Sequence, residues 1–284
     1  MTRVLVTGAG GQLGQCFSEV ANQYPQFQFD FKEKKDLDIT DASTIAAYVL
    51  QNPTQIVINC AAYTAVDAAE QKQEQALLLN QNAVAQWVQL AEKFDFSFLH
   101  FSTDYVFDGQ QKQPYKETDA VAPLNFYGHS KSMGEQVIFQ STARATCIRT
   151  SWLFSPYGKN FVKTIHQKIA ENQPLKIVDD QWARPTYGID LAHASLKLLT
   201  QKNAFKHKCY HFANSGVTNW YGLAKAIAQQ SRKPADITPV STSDFAPPAQ
   251  RPSNSVLDTQ RIENIANLVL RSWQEALDEC LKKL

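Results

Sequence analysis

Val6-Thr7-Gly8-Ala9-Gly10-Gly11-Gln12-Leu13-Gly14 closes a short apolar run, residues 3–7, enters a glycine turn and opens a helix. Gly8, Gly11 and Gly14 stand three apart, a G-x-x-G-x-x-G spacing that departs from the G-x-G-x-x-G dinucleotide fingerprint. Glycine admits positive φ and lets a pyrophosphate approach the backbone. A helix that starts near Gly11 aims the backbone of Gly11, Gln12, Leu13 and Gly14, and the positive end of its dipole, at phosphates. Glycine runs also occur in plain tight turns. The position directly after the first strand is what predicts a dinucleotide site.

Outward from this turn, strands and helices alternate. Strands are expected over 3–7, 27–31, 55–59, 96–101 and 145–150, and helices over 12–23, 39–50, 74–94 and 128–141. The first helix presents Leu13, Phe17, Val20 and Ala21 on one face. Asp41 or Thr40 caps the second. The alternation implies an α/β fold, a Rossmann-type doubly wound parallel sheet covered on both faces. After residue 152 the pattern loosens. Helices are expected over 160–171, 188–200, 220–230 and 273–284, and short strands over 175–178 and 209–212. The stretch 234–252 holds five prolines and reads as an ordered loop or a lid. The expected division is a dinucleotide-binding core over 1–152, to which later segments return, and a smaller substrate-binding lobe over 153–284. Substrate would bind in the crevice between them.

Composition narrows the function. Of 284 residues 44% are hydrophobic and 19% charged, the balance of a soluble packed protein, and a net charge of +1 without a basic block argues against nucleic acid. No stretch approaches the ~18 apolar residues of a membrane span. The N-terminus lacks the ordered regions of a signal peptide, so a cytoplasmic protein is expected. Cys16, Cys60, Cys147, Cys209 and Cys280 form no C-x-x-C pair and read as free thiols. No His/Cys cluster has zinc spacing.

The second strand leads into Asp30-Phe31-Lys32-Glu33-Lys34-Lys35. Asp30 would hydrogen-bond an adenine ribose and favour NAD, whereas the lysines would accept a 2'-phosphate and favour NADP. Both NADPH and NADH stay open. Asp38 and Ile39 are placed near the adenine. Cys60, Ala61 and Ala62 follow the third strand, where small residues let a cofactor lie against the backbone.

Tyr127 and Lys131 lie four apart on one face of the 128–141 helix region, downstream of Ser102-Thr103-Asp104 at a strand end. Hydride addition to a ketone builds charge on oxygen, and Tyr127 can supply the proton as general acid. Lys131 supplies positive charge that favours tyrosinate, and can hold nicotinamide ribose hydroxyls. Thr103, with Ser102 as its competitor, can hydrogen-bond the carbonyl. Asp104 reads as an orienting group. A Tyr-x-x-x-Lys pair alone is weak evidence; the glycine turn and the strand-end hydroxyl make Thr103, Tyr127 and Lys131 a catalytic trio.

These residues resemble the extended short-chain dehydrogenase/reductase superfamily and, within it, the dTDP-4-dehydrorhamnose reductase family. The resemblance spans nearly the whole chain. Its most specific runs are Ser102-Thr103-Asp104-Tyr105-Val106-Phe107 and Arg149-Thr150-Ser151-Trp152. It implies reduction of a 4-keto group on a dTDP-linked 6-deoxyhexose, with Thr103, Tyr127 and Lys131 catalytic. It also implies Thr64, Val66, Val106 and Trp152 around the sugar. Arg251, and less so Arg184, can pair with the diphosphate. Ala183 departs from a glycine common in the family. Some members bind magnesium at a dimer interface through three glutamates. The matching positions here are Cys16, Asp190 and Glu279, so no metal is expected, and a monomer or weak homodimer follows. The rivals are a nucleotide-sugar 4-epimerase, another nucleotide-sugar ketoreductase, and a non-catalytic regulatory subunit on the same fold.

Overall fold

The computed structural model describes all 284 residues. The first half runs β1 (Thr2–Thr7), α1 (Gln12–Val20), β2 (Phe27–Lys32), α2 (Ala42–Gln51), β3 (Ile56–Asn59), α3 (Val66–Ala69) and α4 (Gln73–Leu77). A π-turn, Leu78–Asn82, links α4 to α5 (Ala83–Phe94). Then come β4 (Ser97–Thr103), α6 (Phe126–Gln140) and β5 (Ala145–Thr150). The second half adds β6 (Leu153–Phe154), α7 (Phe161–Ala170), β7 (Leu175–Val178), β8 (Trp182–Ala183), β9 (Thr186–Tyr187) and α8 (Gly188–Leu199). It ends with β10 (Cys209–Phe212), β11 (Thr218–Asn219), α9 (Trp220–Gln230), β12 (Ile237–Val240), α10 (Thr242–Phe245), α11 (Gln260–Ala266) and α12 (Trp273–Lys282).

Six strands form one sheet in the order β10-β5-β4-β3-β1-β2, every neighbouring pair parallel. The order reverses between β1 and β3, and such a switch opens a crevice beyond the strands' carboxyl ends. β10 comes from the second half, so the sheet is completed by residues beyond 152. Three two-stranded pieces, β11-β8, β12-β7 and β6-β9, lie outside it.

Side chains alternate across each strand. Val4, Val6, Ile56, Ile58, Leu99, Phe101 and Ile148 join one core cluster with α1, α7, α8, α9, α11 and α12. Leu5, Val57, Phe98, Ala145 and Cys147 join the other, with α2, α5 and α6. The second half thus supplies most of the cover for one face.

Local boundaries follow from caps. α2 starts at Ala42 because the Asp41 carboxylate accepts from the backbone N–H of Ser43 and Thr44. α1 stops at Val20, and Ala21 begins a 3₁₀ turn in which it is not buried. The expected 74–94 helix is broken in type by the π-turn, which carries Asn80 inward. Asn80 accepts from Tyr63 N–H and donates to Tyr63 O and Ser130 Oγ, so it fastens the loop after β3 to α6. The 234–252 stretch contains β12 and α10. Its end is held by Asp67, which accepts from Ala249 N–H and Arg251 Nη2. The α11 helix was not anticipated.

Arg149 and Glu135, each about 1% exposed, make a two-pronged ion pair between β5 and α6, Nε to Oε1 at 2.8 Å and Nη2 to Oε2 at 2.7 Å. Removing one partner from such a pair strands a buried charge and costs about 3–5 kcal/mol. Glu135→Ala should lower the unfolding free energy in urea by about that much. A loss under about 1 kcal/mol would mean that solvent reaches Arg149.

Candidate active site

The glycine turn is a close contact between two strand ends. Gly8 has φ +69°, and a Cβ there would lie 2.6 Å from Ala61 N. Gly14 anchors the turn differently: a Cβ on it would lie 2.4 Å from Gly8 O. Gly14 therefore packs α1 against the turn and does not reach the cavity. Gly11 occupies the α1 N-cap with no side-chain cap bond, so the first-turn N–H groups remain available.

A cavity of about 700 Å³ opens beyond the carboxyl ends of β1, β3, β4 and β5. Its walls include Gly8, Gly11, Gln12 and Leu13; Asp38 and Ile39; Cys60, Ala61, Ala62 and Thr64; and Thr103, Tyr127, Lys131 and Trp152. Volume and position suit a dinucleotide and a small substrate together. The open helix end and the glycine cradle fit a pyrophosphate.

Other expected residues lie elsewhere. Asp30 pairs with β1 in mid-strand, accepts from Tyr48 OH and contacts Lys32 Nζ at 3.0 Å. The strand runs to Lys32, one residue beyond the expected 27–31, and holds Asp30 within the sheet. Glu33 and Lys34 line the cavity in its place, an acid and a cation side by side. Val106 is fully buried against Phe107, Tyr115 and Leu257. Val66 opens α3, outside the cavity walls, as is Arg251, which pairs with Asp67 at 2.9 Å. Arg184 is a structural clasp: Nε donates to Asn214 O, and Nη1 donates to Leu257 O and Thr259 Oγ1.

At the reaction end, the Thr103 hydroxyl donates to Asp104 Oδ1 at 3.0 Å and accepts from Tyr105 N–H at 3.2 Å. Asp104 is buried, also accepts from Ser255 Oγ, and desolvation raises its carboxyl to about 7. Ser102 Oγ lies buried at the cavity wall without a partner. Burial pushes the Tyr127 phenol up to about 12, with Thr103 opposing the rise. The expected pull of Lys131 toward tyrosinate is missing from this balance. Its ammonium site instead meets His100 Nε2 at 2.9 Å and Phe101 O, and burial lowers Lys131 to about 8.

Trp152 has φ +49°, a left-handed backbone unusual for a large side chain. Its indole stacks on Trp220, ring centroids 3.6 Å apart and 11° from parallel. Trp220 Nε1 donates to Gln181 Oε1 at 3.0 Å. Trp220 was read only as the start of a helix. A contact between residues so distant in sequence carries no local signal.

The positions matching a magnesium site do not fit the ion. Both Asp190 oxygens accept from Arg271, Oδ1 from Nη2 at 2.7 Å and Oδ2 from Nε at 2.8 Å. Glu279 accepts from Arg271 Nη1 at 2.7 Å, and Cys16 is a buried thiol raised to about 12 by desolvation. A guanidinium already neutralises the acids, and a protonated thiol is no ligand for a hard cation.

No helix is long and apolar enough to cross a membrane. The RmlD substrate binding domain family matches residues 1–284. The spore coat polysaccharide biosynthesis protein SpsK of Bacillus subtilis is 38% identical, with 100% of this chain and 98% of that protein covered. The dTDP-4-dehydrorhamnose reductase of Aggregatibacter actinomycetemcomitans is 35% identical, with 98% and 97% covered. The crystal structure of dTDP-4-dehydrorhamnose reductase from Bacillus anthracis, in complex with NADP, superposes with a TM-score of 0.94 at 34% identity and covers 100% of both chains. Agreement in sequence and fold from end to end makes this chain a member of the RmlD substrate binding domain family, to which its resemblance to the dTDP-4-dehydrorhamnose reductases had pointed.

Proposed function

We propose that this protein reduces the 4-keto group of dTDP-4-dehydro-β-L-rhamnose to give dTDP-L-rhamnose, with NADPH or NADH as the reductant. The carrying observation is that one cavity joins the glycine cradle to Thr103, Tyr127 and Lys131. The bound nicotinamide supplies the hydride. Everything else asked of the site belongs to the chain.

Tyr127 gives its phenolic proton to the substrate oxygen. Its raised pKa keeps that proton in place before reaction. Two strand-end hydroxyls are available for the carbonyl oxygen. Thr103 must first turn from Asp104, whereas Ser102 has no competing partner. Asp104, whose carboxyl burial raises to about 7, can in its protonated form donate to Thr103 and free that hydroxyl's proton. Trp152 lines the cavity while Trp220 covers a face of its ring. Gly8, Gly11, Gln12 and Leu13 receive the pyrophosphate, Asp38 and Ile39 the adenosine end. We read it as a cytoplasmic enzyme; the dTDP-sugar substrate is supported by the relatives it resembles, and a monomer or weak homodimer by the Arg271 ion pairs that already occupy Asp190 and Glu279.

Oxidation of NADPH or NADH should match dTDP-L-rhamnose formation one for one. Turnover without net loss of reduced cofactor would favour an epimerase, and binding without turnover a regulatory subunit. Tyr127→Phe should reduce kcat by roughly 10²–10⁴-fold with NADPH binding unchanged. Near-normal turnover would remove Tyr127 as the proton donor. Trp220→Ala should raise KM for the sugar nucleotide by up to roughly tenfold, the worth of one aromatic pair. The same change should abolish the paired-indole band in far-ultraviolet circular dichroism. Loss of that band at constant KM would show that Trp152 needs no support from Trp220.

A further inference from the structure

The segment 252–258 is woven between two other parts of the chain. Trp182 of β8 donates its N–H to Ser253 O and accepts from Ser255 N–H, both at 2.8 Å. Just beyond, Tyr115 N–H donates to Val256 O at 2.7 Å, and Tyr115 O accepts from Asp258 N–H at 2.8 Å. Pro252 fits against Gly109, where an added Cβ would come within 2.6 Å of the proline Cβ. Ser255 is thus fixed from both sides at 2% exposure, and its hydroxyl donates to Asp104 Oδ2 at 2.5 Å. Asp104 is equally buried and has no ion-pair partner. Its other oxygen, Oδ1, accepts from the Thr103 hydroxyl at 3.0 Å. One carboxyl therefore joins a fixed hydroxyl to a hydroxyl that lines the cavity. The two differ in what else they can do. Ser255 Oγ has no other hydrogen-bond partner, and a buried hydroxyl that lost its only acceptor would be costly. Thr103 faces the cavity, where a freed proton can meet water or a carbonyl oxygen. A proton that arrives on Asp104 therefore belongs on Oδ1, where it donates to Thr103 Oγ1 and turns that hydroxyl outward. The ionised carboxylate draws the hydroxyl back.

We propose that Ser255 is a positioning residue: by holding Asp104 Oδ2 it keeps the exchangeable proton of the carboxyl on Oδ1, so that Asp104 sets the direction of the Thr103 hydroxyl. The idea deepens the proposed reductase site and rests on Thr103 acting on the carbonyl oxygen. Burial raises the Asp104 carboxyl, and Ser255, then Thr103, then the backbone N–H groups of Asp104 and Tyr105 oppose the rise. The titratable and charged groups that face it are Tyr105 beside it, Tyr127 of α6, and Arg251, which reaches Tyr105.

The test is an NMR titration of the full chain with its aspartates labelled with ¹³C at Cγ. The Asp104 signal is identified by its loss in Asp104→Asn, or in Asp104→Glu should the first variant fail to fold. The native midpoint should lie at about 7. Ser255→Ala should raise it by roughly one pH unit, because a donor to the carboxylate is lost. Ser255→Thr keeps the hydroxyl and should return it. Over the same pH range, kcat is measured with NADPH and dTDP-4-dehydro-β-L-rhamnose. Its fall above the Asp104 midpoint should move up in Ser255→Ala by the same amount and come back in Ser255→Thr. A mere loss of packing would lower kcat alike at every pH. An unchanged Asp104 midpoint in Ser255→Ala would overturn the proposal. So would a midpoint that moves while the pH dependence of kcat stays in place. The titration needs no substrate: a native protein that fails to reduce the sugar would count against the reductase reading, while the midpoints still decide whether Ser255 holds the carboxyl.

Discussion

The shared register of the parallel strands is the constraint from which the site follows. Thr7 of β1 and Asn59 of β3 end level with each other, but β4 and β5 run on to Thr103 and Thr150. Three further residues lift this pair by about 10 Å. The glycine turn lies on the lower step, where backbone meets backbone at Gly8 and Ala61. Ser102, Thr103 and Thr150 form the higher wall. A long two-ended ligand can rest its phosphates on the step and present its reactive end to the wall. No side chain has to choose this arrangement, since unequal strand lengths produce it.

Polar residues inside the sheet's covered faces need partners, and their pairing orders the site. Arg149 meets Glu135, Asn80 fastens the loop after β3, and the Thr7–Asn59–His100 row satisfies its members in sequence. Against this background the unpaired Ser102 hydroxyl at the cavity wall stands out. A buried hydroxyl without a partner is costly unless a ligand completes it. The network therefore does two things: it makes the walls rigid and leaves one hydroxyl of the cavity wall unpaired.

Much of this was legible in sequence because the signals are local. The glycine turn, the apolar strand runs and the four-residue step from Tyr127 to Lys131 each depend on neighbours along the chain. Asp30 failed because a strand's end is poorly marked in a mixed charge run; Glu33, three residues later, takes the position beside the cavity. Arg184 and Arg251 were ambiguous for a different reason. A free arginine and one clasped by distant carbonyls and carboxylates look alike in sequence. The role of Ser255 was likewise hidden, because Asp104, its partner, lies 151 residues away.

The second half of the chain is less regular, yet it fixes the cavity wall at Trp152. Trp152 holds a left-handed backbone that costs an ordinary residue roughly 1–2 kcal/mol. That conformation turns the indole off the line of β5 and onto Trp220. Trp220 is held through Gln181, whose Nε2 donates to Thr242 Oγ1 at the start of α10. Asp180 in turn accepts from the N–H of Thr242. Stacking offsets the local strain, and the chain of contacts extends its support into the proline-rich stretch. A change near residue 242 can therefore reach the Trp152 wall of the cavity without touching the sheet. The parallel core positions the glycine cradle by register; the second half positions the Trp152 wall by side-chain contact.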